Sequence, residues 1–281
     1  HVIPRLGLCW GGLQLLILWI GCVTIKISHW YGRLGNNIQQ CALGTMVAEA
    51  REDTFESIDH EIISKHKTSF GLSNTNYESK WFYYEGEHQE IATDTEYIYS
   101  NMRRVCKKYV APHLKIPKIN IPDDTLVIHI RSGDIFDQGV DNPTNYVPNP
   151  LCFYKELLEL YPRSYIVTEP DNYNPIVEEL KKDPRVTVQS KSVEEDFGLL
   201  LSAKNIASSG VGTFAISAAL CSERVENFYC SDLMISEHLN YMMLISTDVR
   251  VHLMPLSNYL RPGDWKNTNE QREFIMNYEN I

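Results

Sequence analysis

From residue 125 onward, short apolar runs alternate with amphipathic stretches. Leu126-Val127-Ile128-His129-Ile130 reads as a buried strand over 125–131. Pro150 opens a helix over 151–161. A strand (163–168), a helix (175–182) and a strand (185–189) follow. Ser192 and Glu195 form a capping box for a helix running to Lys204. Next come a strand over 205–209, a small-residue helix over 214–221 and a strand over 225–229. Repeated strand–helix alternation predicts a parallel, doubly wound α/β sheet. The tail, Trp265 to Tyr278, is expected to form a final helix.

The first part of the chain is less regular. Val23–Ser28 alternates like a strand and enters the loop Gly32-Arg33-Leu34-Gly35-Asn36-Asn37. A helix over 38–50 follows, capped by Asn36 or Asn37. Residues 57–64 suggest a short strand or turn, and Lys80–Tyr84 an aromatic strand. Ile98–Val110 suits a helix whose face of Arg103, Arg104, Lys107 and Lys108 is expected to meet solvent. Lys115–Asp124, bracketed by Pro112, Pro117 and Pro122, has no helical period and reads as a linker. The predicted organisation is therefore a domain over 23–121, a second over 122–254 and a tail over 255–281. Ahead of them, the 1–22 segment is hydrophobic. Leu6–Val23 is nearly all apolar and just long enough to cross a bilayer, so a membrane anchor is expected. A partial signal peptide and a soluble domain with an atypical extension are the alternatives. The corresponding locations are membrane-associated, Golgi-like, or cytoplasmic.

Composition narrows the function. The 281 residues are 43% hydrophobic, which suits globular domains, and carry a formal charge of −10. That charge disfavours non-specific nucleic-acid binding, though a local basic pocket for an anion remains open. Seven cysteines without a CxxC pair argue against a zinc ribbon or a dense disulfide framework and suggest buried thiols.

Three turns converge on the carboxyl edge of the second sheet, where ligands bind in open α/β folds. The first is His129-Ile130-Arg131-Ser132-Gly133-Asp134. Arg131 there either offers its fork to a phosphate or pairs with Asp134. The second is Gly210-Val211-Gly212-Thr213, whose N–H groups and Thr213 hydroxyl suit a phosphate or simple helix capping. The third is the helix carrying Asp196, a ribose- or base-binding carboxylate or a first-turn acid favoured by the helix dipole. No GxGxxG, P-loop or DxD motif stands in the right context, and His129 has no second ligand at metal spacing. A nucleotide-diphosphate site without a metal uses all three turns.

Taken in order, these motifs resemble those of the α-1,2-fucosyltransferase-like glycosyltransferases. The Gly32–Asn37 loop resembles their G-x-L-G-N loop, and His129–Asp134 their H-x-R-x-G-D motif. Glu195-Asp196 with Ser209–Phe214 is similar to the acidic helix and S-x-x-x-T-F turn of the same superfamily. That group includes α-1,6- and protein O-fucosyltransferases. The spacing also resembles glycosyltransferases of large algal viruses, some of which transfer xylose. The resemblance implies a GT-B fold of two Rossmann-like domains with parallel sheets. It implies inverting, metal-independent transfer of fucose or xylose from GDP-fucose or UDP-xylose to an oligosaccharide or glycoprotein hydroxyl. It implies that Arg131 binds the β-phosphate, that His129 and Asp196 contact the nucleoside, and that Thr213 with Gly212 holds phosphate. Gly35 and Asn36 would line the cleft. Ala215, Ile216 and Ser132 stand where many fucosyltransferases carry other residues, which leaves the donor open. A base would activate the acceptor. Asp134 is the first candidate, and Asp137 the second if Asp134 orients Arg131. A catalytically inactive scaffold of the same fold is the rival reading.

Overall fold

A computed structural model of the chain describes residues 24–71, 77–79, 95–137, 145–243 and 248–280. The hydrophobic 1–22 segment, the 80–84 aromatic run and Asp141 of the long loop lie outside these residues. Among the described residues, no helix is long and apolar enough to cross a membrane.

β1 (Thr24–Ile27) buries Ile25 and Ile27 and turns alternate residues outward, as its sequence alternation requires. It leads into α1 (Leu34–Ala50). The helix starts earlier than expected: Arg33 occupies the N-cap position, and no side chain caps it. β2 (Thr54–Glu56) lies parallel to β1, and β4 (Tyr77–Ser79) is parallel to β1 on its other side. β3 (Lys67–Ser69) runs antiparallel to β2, giving the order β3-β2-β1-β4. This first sheet is therefore mixed, not parallel throughout. The 57–66 connection has no crossover helix, and an antiparallel return needs none. The helix expected over 98–110 is α2 (Thr95–Val105), relaxing into a π-turn at Cys106–Val110 and a 3-10 turn at Ala111–His113. Pro112, which has no N–H to donate, sits in that last turn.

The second sheet follows the sequence expectation closely. In chain order it runs β5 (Thr125–His129), α3 (Leu151–Leu158), β6 (Arg163–Val167), α4 (Pro175–Leu180), β7 (Val186–Gln189) and α5 (Val193–Leu201). It continues as β8 (Asn205–Ala207), α6 (Phe214–Cys221), β9 (Asn227–Ser231), α7 (Ser236–Met243), β10 (Arg250–Met254) and α8 (Asn269–Asn277). All six strands are parallel, in the order β7-β6-β5-β8-β9-β10. From β5 the chain winds outward through β6 to β7. It then returns to β8 and winds the other way, which is the order of a Rossmann-type sheet. Ser192 caps α5 as expected: its Oγ accepts from the Glu195 N–H at 3.3 Å, and the same hydroxyl donates to the Glu195 carboxylate. α7 and β10 have no strong sequence signal; β10 is a largely exposed edge strand.

The two faces of this sheet have different partners. Leu126, Ile128 and Ile166 pack under α3, α4 and the tail. Val127, Val167 and Ile206 face α5 and α6, in one apolar core with Ile25, Ile38 and Met46 of the first sheet and α1. The chain crosses between the sheets in the irregular 115–124 stretch, where the prolines place a linker. The apolar core is nonetheless continuous across that crossing. The tail is likewise no appendage, since Leu256, Tyr259, Trp265, Ile275 and Tyr278 are buried in the second sheet's core. The five described cysteines are unbridged; Cys41, Cys106, Cys221 and Cys230 are buried, as expected of core thiols.

One expectation about the basic helix fails. Arg103 is only 3% exposed and points away from solvent. Its Nη1 donates to the Ala219 and Leu220 carbonyls, the last turn of α6, and its fork grips Asp248 with Nη2 at 2.9 Å. A cation at a helix C-terminus satisfies orphan carbonyls and complements the dipole. The same guanidinium holds the Asp248 carboxyl below its usual range. Arg103→Met should lower unfolding free energy by about 2–4 kcal/mol, because it strands buried carbonyls while half-exposed Asp248 rehydrates. Denaturant titration checks this, and a loss under about 1 kcal/mol would show that water replaces the clamp.

Candidate functional site

β5 and β8 are neighbours whose following connections leave in opposite directions, which makes their carboxyl ends the switch point of the sheet, the place of the ligand crevice in open α/β folds. His129 and Arg131 sit at the end of β5, and Ser208 to Thr213 at the end of β8. The β5–β8 register continues to place His129 beside Ser208. The Ser208 hydroxyl is buried without a hydrogen-bond partner, and so is Nε of Arg131. Buried polar atoms are rarely left this way, so two beside one crevice mark a place where a ligand could supply partners.

Around Arg131 the contacts are dense. Its Nη2 donates to both oxygens of Asp134, at 2.9 and 3.2 Å, and its guanidinium lies 5.2 Å from the Tyr146 ring centre. The local alternative from the sequence, Arg131 paired with Asp134, is therefore the observed state. Asp134 orients the arginine, and as placed it is not a free base. Arg33, from the first glycine loop, stands 3.7 Å from Asp134 and 3.4 Å from Glu169. It is 69% exposed at its side chain. The N–H groups of Ser132 and Gly133 donate to Glu169 and Asp171 at 2.7 and 2.9 Å. Asn174 Nδ2 donates to the Arg131 carbonyl at 3.0 Å. Carboxylates thus occupy the donors of the β5 turn.

The second turn is built by close approach. Gly210, at φ +90°, pairs with Pro148, and a Cβ there would stand 2.9 Å from the Val147 carbonyl oxygen. Thr213 occupies the N-cap position of α6, but its hydroxyl makes no cap bond. Instead it donates to Asn36 Oδ1 at 2.6 Å, while Ser217 Oγ donates to the Gly35 carbonyl at 3.0 Å. A Cβ on Gly35 would lie 2.6 Å from Thr213 Oγ1 and 2.7 Å from its backbone. Gly35 is therefore where α1 crosses the N-terminal end of α6. Thr213 does not present a free hydroxyl beside Gly212; it ties the two halves of the chain together.

His129 packs its ring against Phe214 at 5.0 Å. Burial, with the charges of Arg131 and Arg33, lowers its pKa to about 3. It is therefore neutral at physiological pH, able to accept or donate a hydrogen bond without repelling the arginines. Asp196, expected to contact the nucleoside, already has partners in its own loop. Its carboxylate closes its own β7–α5 loop, accepting from Gln189 Nε2 at 2.9 Å and from the Lys191 N–H. Burial raises its pKa. Its neighbour Phe197 meets the Phe214 ring at 5.2 Å. Asp137 follows the 3-10 turn Gly133–Ile135, and its N–H donates to the Gly133 carbonyl.

The structure thus gathers Gly35, Asn36, His129, Arg131, Asp134 and Thr213 around one crevice and leaves Asp196 beside it. Sequence reasoning missed Arg33, Glu169 and Asp171. Arg33 lies inside the glycine motif itself, and Glu169 and Asp171 follow the end of β6, so the strand-end rule pointed near them. A cavity of about 520 Å³ opens at the far end of α6, lined by Arg103, Arg104 and Lys107. These cations already pair with Asp248, Glu49 and Glu223, so the strand topology, not cavity size, locates the site. The class defined by fold and site is an α/β protein with a Rossmann-type sheet and an arginine-bearing crevice at its switch point. No protein-family model and no curated protein matches the chain.

Proposed function

We propose that this chain is an inverting, metal-independent glycosyltransferase of GT-B type, moving a sugar from a nucleotide diphosphate donor to a glycan hydroxyl. The observation that carries the reading is Arg131 at the switch point, its buried Nε unpartnered and its fork held ready by Asp134. Contacts from Arg33 to Asp134 and Glu169 and from Asn36 to Thr213 support a donor site shared by both halves of the chain. Leu6–Val23 would tether the enzyme to a membrane.

In this reaction the bond from the anomeric carbon to the β-phosphate oxygen breaks, and negative charge grows on the departing diphosphate. Arg131 stabilises that charge, with Arg33 adding a second cation from the other half. The diphosphate takes over donors now satisfied by Asp134 and Glu169. Neutral His129 contacts the nucleoside. Because Asp134 is committed to Arg131, Asp137 is the proposed base. It accepts the proton of the acceptor hydroxyl, which attacks from the face opposite the leaving group.

The test is calorimetry and donor-hydrolysis assays on the full chain in EDTA with a panel of nucleotide sugars, followed by transfer assays with oligosaccharide acceptors. Binding of one donor, with turnover, supports the reading; GDP-fucose or UDP-xylose would name the branch. Donor binding without turnover against any acceptor would favour a scaffold in which the carboxylate-closed turn is the resting state. No binding by folded protein would overturn the proposal.

A further inference from the structure

The C-terminal tail packs against the backbone of the turn that carries Asp134, and the contacts there are specific. Trp265 is fully buried, donates Nε1–H to the Ile135 carbonyl at 3.0 Å and packs 5.2 Å from the Phe136 ring. Arg272, on α8, donates Nη2–H to the next carbonyl, that of Phe136. Its Nη1 donates to the Tyr173 carbonyl at 3.0 Å, and its Nε to Asn267 Oδ1 at 2.8 Å. The guanidinium also covers the Phe136 ring at 5.6 Å.

These two carbonyls end the turn that carries Asp134 and precede Asp137. Tyr173 belongs to the opposing loop, where its N–H donates to Asp171, the acceptor of the Gly133 N–H. Arg272 therefore holds both sides of the Arg131–Asp137 turn from behind, without reaching the crevice. Three divergent acceptors need a planar fork; an ammonium group, with its donors on one nitrogen, cannot span them.

We infer that Arg272 is a positioning residue for the proposed reaction: it sets the 132–137 turn so that Asp137 meets the acceptor hydroxyl. The inference rests on the glycosyl-transfer reading. Arg131 is anchored ahead of that turn, by the Ile130 N–H on the Val167 carbonyl and by Asn174 on its own carbonyl. Loss of Arg272 therefore displaces Asp137 more than Arg131. A displacement on the order of 1 Å at a reacting group costs up to about a hundredfold in rate.

The experiment compares wild type, Arg272→Lys and Arg272→Ala for transfer kcat, donor Kd and melting temperature, with and without added guanidinium or methylguanidinium. The expected result is a fall in kcat of about 10- to 100-fold in both variants, with donor Kd changed less than about threefold. The fall in kcat with donor Kd and melting temperature nearly kept is the readout that a merely structural brace would not give, and the added cation should restore part of the Arg272→Ala rate. Unchanged kcat would overturn the inference. So would a parallel loss of kcat, donor affinity and melting temperature that the added cation does not rescue. Absence of donor binding in wild type would overturn the transfer reading and this inference with it. Unchanged kcat in the variants of an active enzyme removes this inference alone.

Discussion

Arg131→Ala is expected to weaken binding of the nucleotide-sugar donor by about a hundredfold and to slow transfer by about 10²–10³-fold, with the fold retained. The size follows from position. The guanidinium stands at the end of the central strand β5, on the line where the winding of the sheet reverses. It is partly shielded from water, beneath the Tyr146 ring. A phosphate contact made away from bulk water is worth more than the same contact on a surface. The fold should survive, because Asp134, the partner left behind, is itself partly exposed and keeps Arg33 within 3.7 Å. Arg131→Lys separates charge from geometry. A lysine restores the charge without the fork, so it should recover part of the binding and little of the rate. Calorimetry and initial rates check both. Donor binding by Arg131→Ala equal to wild type would place the diphosphate elsewhere.

Gly35→Ala is expected to destabilise the chain by about 2–4 kcal/mol and to weaken donor binding as well. Helix propensity alone predicts the opposite sign, since alanine in place of glycine inside a helix gains about 1 kcal/mol. Packing outweighs it. The new methyl would stand 2.6–2.7 Å from Thr213 Oγ1 and from the Thr213 backbone carbon and oxygen, and backbone cannot swing aside. α1 must back away from α6. The bonds from Thr213 to Asn36 and from Ser217 to the Gly35 carbonyl then stretch or break. Asn36→Ala gives the scale, removing only one hydrogen bond, about 1 kcal/mol. Chemical denaturation of the three proteins side by side decides the matter. A Gly35→Ala variant as stable as wild type would mean that α1 and α6 do not touch there in solution.

The chain itself determined the second sheet. Strand–helix alternation from Thr125 to Ser231, the Ser192–Glu195 box and the small residues of Phe214–Cys221 each have a local cause, and each appears where its cause stands. The His129–Asp134 turn was legible for the same reason: a strand, a glycine and charged residues at a sheet edge are neighbours in sequence. The first half was less legible because its strands are three or four residues long and its helices are buried by contacts from distant segments. Gln39, Gln40 and Thr45 are buried in α1, which no amphipathic pattern announces.

Only the tertiary structure decided how the charges and hydroxyls are used. Arg103 reads as a solvated helix residue until α6 places its carbonyl end against it. Thr213 reads as a cap or phosphate ligand, and only the fold shows Asn36 at its hydroxyl. Asp196 reads as a nucleoside contact or a first-turn acid, and only the fold shows the Gln189 and Lys191 donors on its carboxylate. Arg33 and Arg272 join the Arg131 turn from residues about a hundred or more positions away. Backbone preference and apolar periodicity act over a few residues, so they are written locally. A polar side chain takes whichever partner the folded chain brings within about 3 Å, and that partner is fixed only when the sheets and helices have docked.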